Sequence, residues 1–178
     1  LFDPKREFDA CGVGFIADMK GRRSHKIVQD ALQILANLEH RGATGADPLA
    51  GDGGGILVQI PHAFLAQECQ LQGSFSGDQD DFERRLYLVR KRVSNAIENA
   101  YKGRDIGHYT VSLSTRTLVY KCMFLSYQVK AYYNDLSDPR FTSAMAVVHQ
   151  RFSTNTFPSW KLAHPYRMVA HNGEINTL

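Results

Sequence analysis

In the first part of the chain, the spacing of the apolar residues predicts a strand followed by a helix. Residues 11–19 alternate in hydrophobicity and predict a short strand that places Val13, Phe15 and Ala17 on one side. Ser24 then offers a helix N-cap, and apolar residues recur at the spacing of an amphipathic helix that ends near 40–42. The apolar residues of this helix are Ile27, Val28, Ala31, Leu35 and Leu38.

In the stretch that follows, glycine and proline predict where a turn lies and where a strand ends. A glycine-rich turn at 51–55 is predicted to lead into a strand over 56–60, which Pro61 stops. The polar, glycine-containing stretch 67–81 predicts a loop or linker.

A long helix and several strands make up the second part. The helix begins at Asp81 with Asp80 or Asp81 as its cap, and its apolar face comprises Phe82, Leu86, Val89, Val93 and Ile97. Runs rich in Val, Tyr and Thr predict strands over 109–114, 117–125, 144–149 and 168–171. Strands at both ends with helices between them predict a layered α+β domain.

Composition narrows the class of protein. At 178 residues, 43% apolar and 22% charged, the chain suits one globular domain. The net charge of +3 is mild, and the basic run at 84–92 is typical of a solvated helix face, so we expect no nucleic-acid partner. We also expect no metal site and no membrane span, because the histidines and the three cysteines show no ligand spacing and no apolar run is long enough.

Two glycine patterns suggest alternatives that the context disfavours. Gly12, Gly14 and Ala17 match a dinucleotide-binding pattern, but that motif needs a strand before the glycines and a helix after them. The glycines at 51–55 resemble a phosphate loop, but no Gly-Lys-Ser/Thr follows.

Cys11 is the candidate nucleophile. A lone cysteine is usually a small core residue, but Gly12 and Gly14 would let a substrate approach the backbone closely. No histidine pairs with it by sequence, so the thiol needs another base, and an α-amino group with a pKa of about 7.7–8.0 can supply one. A cysteine at a chain terminus would carry both nucleophile and base, which requires removal of residues 1–10.

Two further segments offer substrate-binding groups. Arg151 follows a strand and suits bidentate binding of a carboxylate, although an ordinary ion pair explains it equally well. Asn172 and Gly173 are typical of a turn, and their amide and backbone N–H could also form an oxyanion hole.

Five sequence blocks resemble the class II glutamine amidotransferases, and in particular the glutaminase domain of the glutamate synthase family. A helix at 82–92 adds to the likeness. The blocks run from end to end of the chain: CGVGF at 11–15, EHRGA at 39–43, GDGGGIL at 51–57, HQRFSTNTFPSW at 149–160 and HNGEINT at 171–177.

The resemblance implies a fold and a set of roles. The fold would be the N-terminal-nucleophile hydrolase sandwich with four αββα layers, incomplete here. Cys11 would attack the side-chain amide of L-glutamine and form a thioester that water hydrolyses to glutamate. Arg41 would order the pocket, Arg151 and Thr154 would bind substrate, and Asn172 with Gly173 would stabilise the oxyanion. In the complete enzyme the ammonia would reductively aminate 2-oxoglutarate with the help of FMN and an iron–sulfur cluster.

The resemblance also sets expectations about domain organisation and setting. Residues 1–10 would be a propeptide and 11–178 a glutaminase domain that is shortened around 67–81 and truncated at the C-terminus. Its partners would be the remaining synthase domains and a small subunit or ferredoxin, in the cytoplasm or a plastid. The alternatives are another class II amidotransferase and an inactive truncated fragment.

Overall fold

The computed structural model describes residues 11–42, 47, 49–70, 77–150 and 159–169. The strands in chain order are β1 (Gly12–Ala17), β2 (Ala50–Gln59), β3 (Thr117–Phe124) and β4 (Met145–Gln150). The helices are α1 (His25–Asn37), α2 (His62–Glu68), α3 (Gln79–Ala100) and α4 (Gln128–Tyr132), with short 3-10 turns at Glu39–Arg41 and Asn134–Ser137.

The four strands form one antiparallel sheet in the order β1-β4-β2-β3. The chain therefore places its first and last described strands side by side, with Gly12 opposite Gln150 and Gly54 opposite Gln150 on the other side. Antiparallel partners share a sheet face, so each row of partners presents its side chains together. The order brings the start of β1 and the end of β4 to one end of the sheet.

Helix α1 covers one face of the sheet, which we call the α1 face. Ser24 is its N-cap residue, as predicted, although its side chain makes no capping hydrogen bond. The predicted apolar stripe is confirmed at Ile27, Val28, Ala31 and Leu35, and these side chains form a core with strand residues of the α1 face. The strand residues of that core include Ile56, Val58, Cys122, Ala146 and Val148.

The prediction of a turn at 51–55 is wrong, because these glycines belong to β2. These positions are glycine because a side chain would collide with the partner strand β3. A Cβ at Gly51 would lie 2.8 Å from the backbone of Phe124, and one at Gly55 would lie 2.4 Å from the Tyr120 carbonyl oxygen. A register shift between Ala50 and Gly54 adds an irregularity to this part of the strand. Neither the phosphate loop nor the dinucleotide motif has its required geometry, since Gly12 and Gly14 also lie within a strand.

Helix α3 differs from its prediction in its start and its burial. Its N-cap is Asp78, whose carboxylate accepts a hydrogen bond from the Asp80 backbone N–H at 2.9 Å, so the predicted caps lie within the first turn. None of its residues is buried, and Val89 and Val93 are about half exposed. Phe82, Leu86 and Ile97 of the predicted apolar stripe are half-buried, and no residue of α3 belongs to the hydrophobic core formed by the described residues.

The strand predicted over 109–114 does not form. Its polar groups are used by side-chain bonds instead of a strand ladder: Ser112 accepts a hydrogen bond from the Val119 N–H at 3.3 Å, and Ser114 donates to Glu83 at 2.7 Å. Residues 168 and 169 are also not in a strand, and 170–171 lie outside the described residues. Helices α2 and α4 were not predicted, and α2 begins within the region that follows Pro61.

The segment 159–169 covers part of the opposite face of the sheet, which we call the second face. The Lys121 ammonium donates to the carbonyl oxygens of Lys161 at 3.0 Å and Ala163 at 3.3 Å. The ring of His164 stacks on that of His149 with 4.7 Å between centroids. At the β1 edge of this face, Phe15 is 77% exposed. No helix among the described residues is long and apolar enough to cross a membrane.

Candidate active site

Cys11 lies directly before β1 and is 2% exposed. It takes part in no disulfide. The residue after it, Gly12, contacts the turn that follows α1: a Cβ at Gly12 would lie 3.1 Å from Leu38 Cδ2 and 3.3 Å from Arg41 Cβ. A side chain at position 12 would therefore push the turn away from the strand.

The turn at Glu39–Arg41 carries Arg41 to this end of the sheet. It forms because α1 ends at Asn37 and the chain tightens into a 3-10 turn, with the Arg41 N–H donating to the Leu38 carbonyl at 2.8 Å and the Gly42 N–H donating to the Glu39 carbonyl at 2.9 Å. Arg41 is half-buried. The structure thus brings Arg41 next to the residue that follows Cys11, and its role in the pocket stays a prediction.

The other predicted site residues lie outside the described residues: Arg151, Thr154, Asn172 and Gly173. The same is true of residues 1–10. Their neighbours are described in part. Gln150, which directly precedes Arg151 in the sequence, pairs across the sheet with Gly12, the residue after Cys11.

The remaining cysteines are poor candidates for the nucleophile. Burial raises the pKa of Cys122 to about 11, so its thiol stays protonated at neutral pH. Its Sγ donates to the Gly54 carbonyl at 3.3 Å within the core. Cys69 is exposed at the C-terminal end of α2. Among the described residues, no three His, Cys, Asp or Glu side chains are grouped so that they could hold a metal ion.

Two buried polar residues near this end of the sheet were not predicted. Gln150 is fully buried on the α1 face, and Lys121 is 4% exposed on the second face. Burial lowers the pKa of Lys121 to about 8. The signal in the sequence was a long polar side chain inside an otherwise apolar strand, at the centre of TLVYKCMF for Lys121 and at the end of MAVVHQ for Gln150.

The described geometry can support nucleophilic chemistry at one end of the sheet. A buried thiol lies beside a glycine, a guanidinium-bearing turn packs on that glycine, and the strand that leads to Arg151 pairs with it.

Comparison with known families identifies the class of protein. The family model for class II glutamine amidotransferases matches residues 11–78 and 72–178. The chain belongs to this family. The family model matches in two parts that overlap at 72–78, between α2 and α3 in the sequence.

The relatives of this chain are glutamate synthases. It is 36% identical over 249 aligned positions to the NADPH glutamate synthase large chain of Bacillus subtilis, covering 100% of this chain and 16% of that protein. The NADH enzyme of Saccharomyces cerevisiae is 36% identical over 260 positions, with 100% and 12% covered. The ferredoxin-dependent enzyme of Antithamnion sp. is 34% identical over 244 positions, with 97% and 16% covered. The sequence therefore matches the glutamine amidotransferase domain of glutamate synthases and spans less than a fifth of their length.

Proposed function

We propose that this chain is the glutaminase part of a glutamate synthase and that Cys11 is its nucleophile. The observation that carries the proposal is the placement of Cys11. Its buried thiol begins the strand whose first residue packs on the Arg41 turn and pairs with the residue before Arg151. The glutamate synthase relatives favour this function over another class II amidotransferase.

The base for this nucleophile comes from the same residue. Hydrolysis of the Ala10–Cys11 bond removes residues 1–10 as a propeptide and frees the α-amino group of Cys11. That amine, with a reference pKa of about 7.7–8.0, accepts the thiol proton. Before cleavage its nitrogen belongs to a peptide bond and cannot act as a base. The chain with its leader is therefore an inactive precursor.

The reaction proceeds through a thioester. The Cys11 sulfur attacks the side-chain amide carbon of L-glutamine, and the amide oxygen becomes an oxyanion held by the Asn172 amide and the Gly173 N–H. The C–N bond then breaks, and the proton held by the α-amine leaves with the nitrogen as ammonia. Water attacks the thioester and gives a proton to the α-amine, the C–S bond breaks, the proton passes to the Cys11 sulfur and glutamate departs. Arg151 binds the α-carboxylate, while Arg41 and Thr154 shape the pocket.

The complete enzyme uses the ammonia in a second reaction. Other domains of the same chain reductively aminate 2-oxoglutarate to glutamate, with electrons from ferredoxin or a nicotinamide donor. FMN and an iron–sulfur cluster would supply the electron transfer there. The described cysteines do not fit such a cluster, because the described residues contain no group of three His, Cys, Asp or Glu side chains that could hold a metal ion.

The remaining parts of the fold belong to the same proposal. In the four-layer αββα sandwich a second sheet would cover the second face, and the exposed Phe15 with the half-exposed Val13 supports this because both are apolar. The domain would extend over 11–178 with a shortened 67–81 region.

The test uses the full-length protein. Its intact mass and N-terminal sequence are measured, and it is then treated with a glutamine-mimicking diazo-ketone that alkylates the nucleophile. We expect an N-terminal Cys11, one adduct on that residue and release of ammonia from L-glutamine. Retention of residues 1–10 in the full-length protein would refute the removal of a propeptide, and a processed protein without an adduct on Cys11 would refute that residue as the nucleophile.

Two cysteine variants separate the nucleophile from general thiol reactivity. Cys11→Ser should abolish labelling and glutaminase activity, because the reactive thiolate is gone. Cys69→Ser removes an exposed thiol outside the site and should leave both unchanged. Equal losses in the two variants would count against an assignment to Cys11.

A further inference from the structure

Gln150 carries a buried amide that the described structure leaves without hydrogen bonds. The residue is 0% exposed, and neither its Oε1 nor its Nε2 has a hydrogen-bond partner. A primary amide in this state costs free energy, since both groups would be hydrated in the unfolded chain. An apolar side chain of the same shape would fill the space without that cost.

Glycines surround this amide. Across the sheet, Gln150 pairs with Gly12 on β1 and with Gly54 on β2, so neither flanking position has a side chain. A Cβ at Gly54 would lie 2.9 Å from Oε1, and a Cβ at Gly42 would lie 2.5 Å from Nε2. The amide thus occupies a space that depends on glycine at positions in two strands and one turn.

The same glycines adjoin the candidate active site. Gly12 follows Cys11, and Gly42 follows Arg41 in the 3-10 turn. Gln150 itself precedes Arg151. A shift of the amide would therefore be transmitted through direct contact to the turn that carries Arg41.

We propose that Gln150 is a positioning residue of the glutaminase site, a proposal that rests on the function proposed above. Its amide sets the separation between the Arg41 turn and the sheet, and its unused donor and acceptor become paired when glutamine occupies the site. The free energy that is lost in the empty protein is recovered on binding, so the residue couples substrate binding to the position of the turn.

Replacement of Gln150 by methionine tests this in the full-length enzyme. Methionine has a similar length and lacks both polar groups. We expect the empty Gln150→Met protein to be at least as resistant to denaturant as the wild type, because an unpaired buried amide is gone. The KM for glutamine should rise about tenfold, as for loss of one hydrogen bond, with a smaller change in kcat. The thermal stabilisation by glutamine should shrink in parallel.

Two other variants act as control and independent test. Ser126→Ala removes another buried polar atom that has no hydrogen-bond partner, on the turn before α4, and should leave KM unchanged. Gly42→Ala adds a methyl group that displaces the amide and should raise KM with Gln150 still present. The Gly42→Ala/Gln150→Met double variant should be no worse than the more impaired single variant, because both act on one contact.

The outcomes distinguish this proposal from the proposed function. An active wild type with an unchanged KM in Gln150→Met would overturn the positioning role alone. A loss of stability in the empty Gln150→Met protein would also overturn it, because it would show that the amide is already paired. A processed wild type that neither hydrolyses glutamine nor is labelled at Cys11 would refute both.

Discussion

The two faces of the sheet are held by different physical interactions. The α1 face is apolar: Val28 and Leu35 of the helix pack with Ile56 and Val148 of the strands, and all four are fully buried. The second face is polar where it is covered, because Lys121 holds the segment 159–169 through carbonyl oxygens. Apolar packing has no preferred direction and changes little with pH, whereas the contacts of a buried ammonium depend on geometry and on protonation.

The difference bears on the proposed site because the second face holds the segment 159–169. The segment 159–169 lies between the Arg151 block and the Asn172 block in sequence. The Lys121 ammonium binds carbonyl oxygens of this segment. The ring centroids of Tyr109 and Tyr166 lie 4.7 and 5.4 Å from the ammonium nitrogen. We therefore expect changes on the α1 face to act on stability first, and changes on the second face to act on pH dependence.

The largest effect on stability is expected from a substitution in the α1 face. Leu35→Ala should lower the free energy of unfolding by about 3 kcal/mol, because it leaves a cavity in a fully buried position. Phe15→Ala on the uncovered part of the second face should change it by less than about 0.5 kcal/mol in the isolated chain. Urea denaturation of the two variants measures the contrast. Similar losses would mean that Phe15 is packed and that the faces do not differ as described.

The sequence predicted the α1 face well for a physical reason. In α1, β3 and β4, apolar residues recur at the spacing that places them on one side of the element, which is the side that becomes buried. The burial of Val28 and Val148 follows directly from this spacing. The glycines of β2 were wrongly predicted to form a turn. They are needed because a side chain at these positions would collide with Phe124 or Tyr120, which are distant in sequence. Local composition cannot report a contact made by another strand.

The candidate site was predicted from two different signals. Cys11 was proposed because of its glycine neighbours and Arg41 because of the family resemblance, and the roles of both residues stay predictions. The burial of Gln150 was not predicted because it depends on the sheet order, which places Gly12 and Gly54 on either side of this residue. The apolar face predicted for α3 does not establish burial, because a period in sequence shows only that a face is apolar, and Val89 is half exposed here.

A smaller effect tests the electrostatics of the second face. Burial lowers the pKa of Lys121 from 10.5 to about 8, so between these values the unfolded chain binds a proton that the folded protein does not. The contribution of this group to stability therefore rises with pH across that window. Between pH 8 and 10, the free energy of unfolding of the wild type should rise by about 2 kcal/mol relative to Lys121→Met.

Urea denaturation at several pH values measures this difference. Lys130→Met, which removes an exposed lysine of α4, is the matched control and should keep a constant offset from the wild type. A constant offset for Lys121→Met as well would mean that its ammonium is hydrated in the folded protein.

The smallest effect concerns the bond that joins α3 to the second-face segment. The Glu83 carboxylate accepts hydrogen bonds from the Thr115 N–H at 2.7 Å and from the Ser114 hydroxyl at 2.7 Å, and it pairs with Arg167. Burial alone would raise the pKa of Glu83, but these hydrogen bonds and the Arg167 charge outweigh it and lower the pKa to about 2. The stabilisation is therefore complete above about pH 4.5 and is lost as the pH falls through about 2.

Glu83→Gln should lower the free energy of unfolding by about 1 kcal/mol at pH 7, because the amide keeps one acceptor but loses the charge. The difference from the wild type should vanish below about pH 2, where the carboxyl is protonated. Asp80→Asn removes the more exposed carboxylate that pairs with Arg116 and should have an effect within about 0.5 kcal/mol. Suppose that Asp80→Asn lowers the free energy of unfolding as much as Glu83→Gln does. The contact between α3 and the segment 159–169 would then be no stronger than a surface ion pair, and of these charged residues only Lys121 would stabilise the second face.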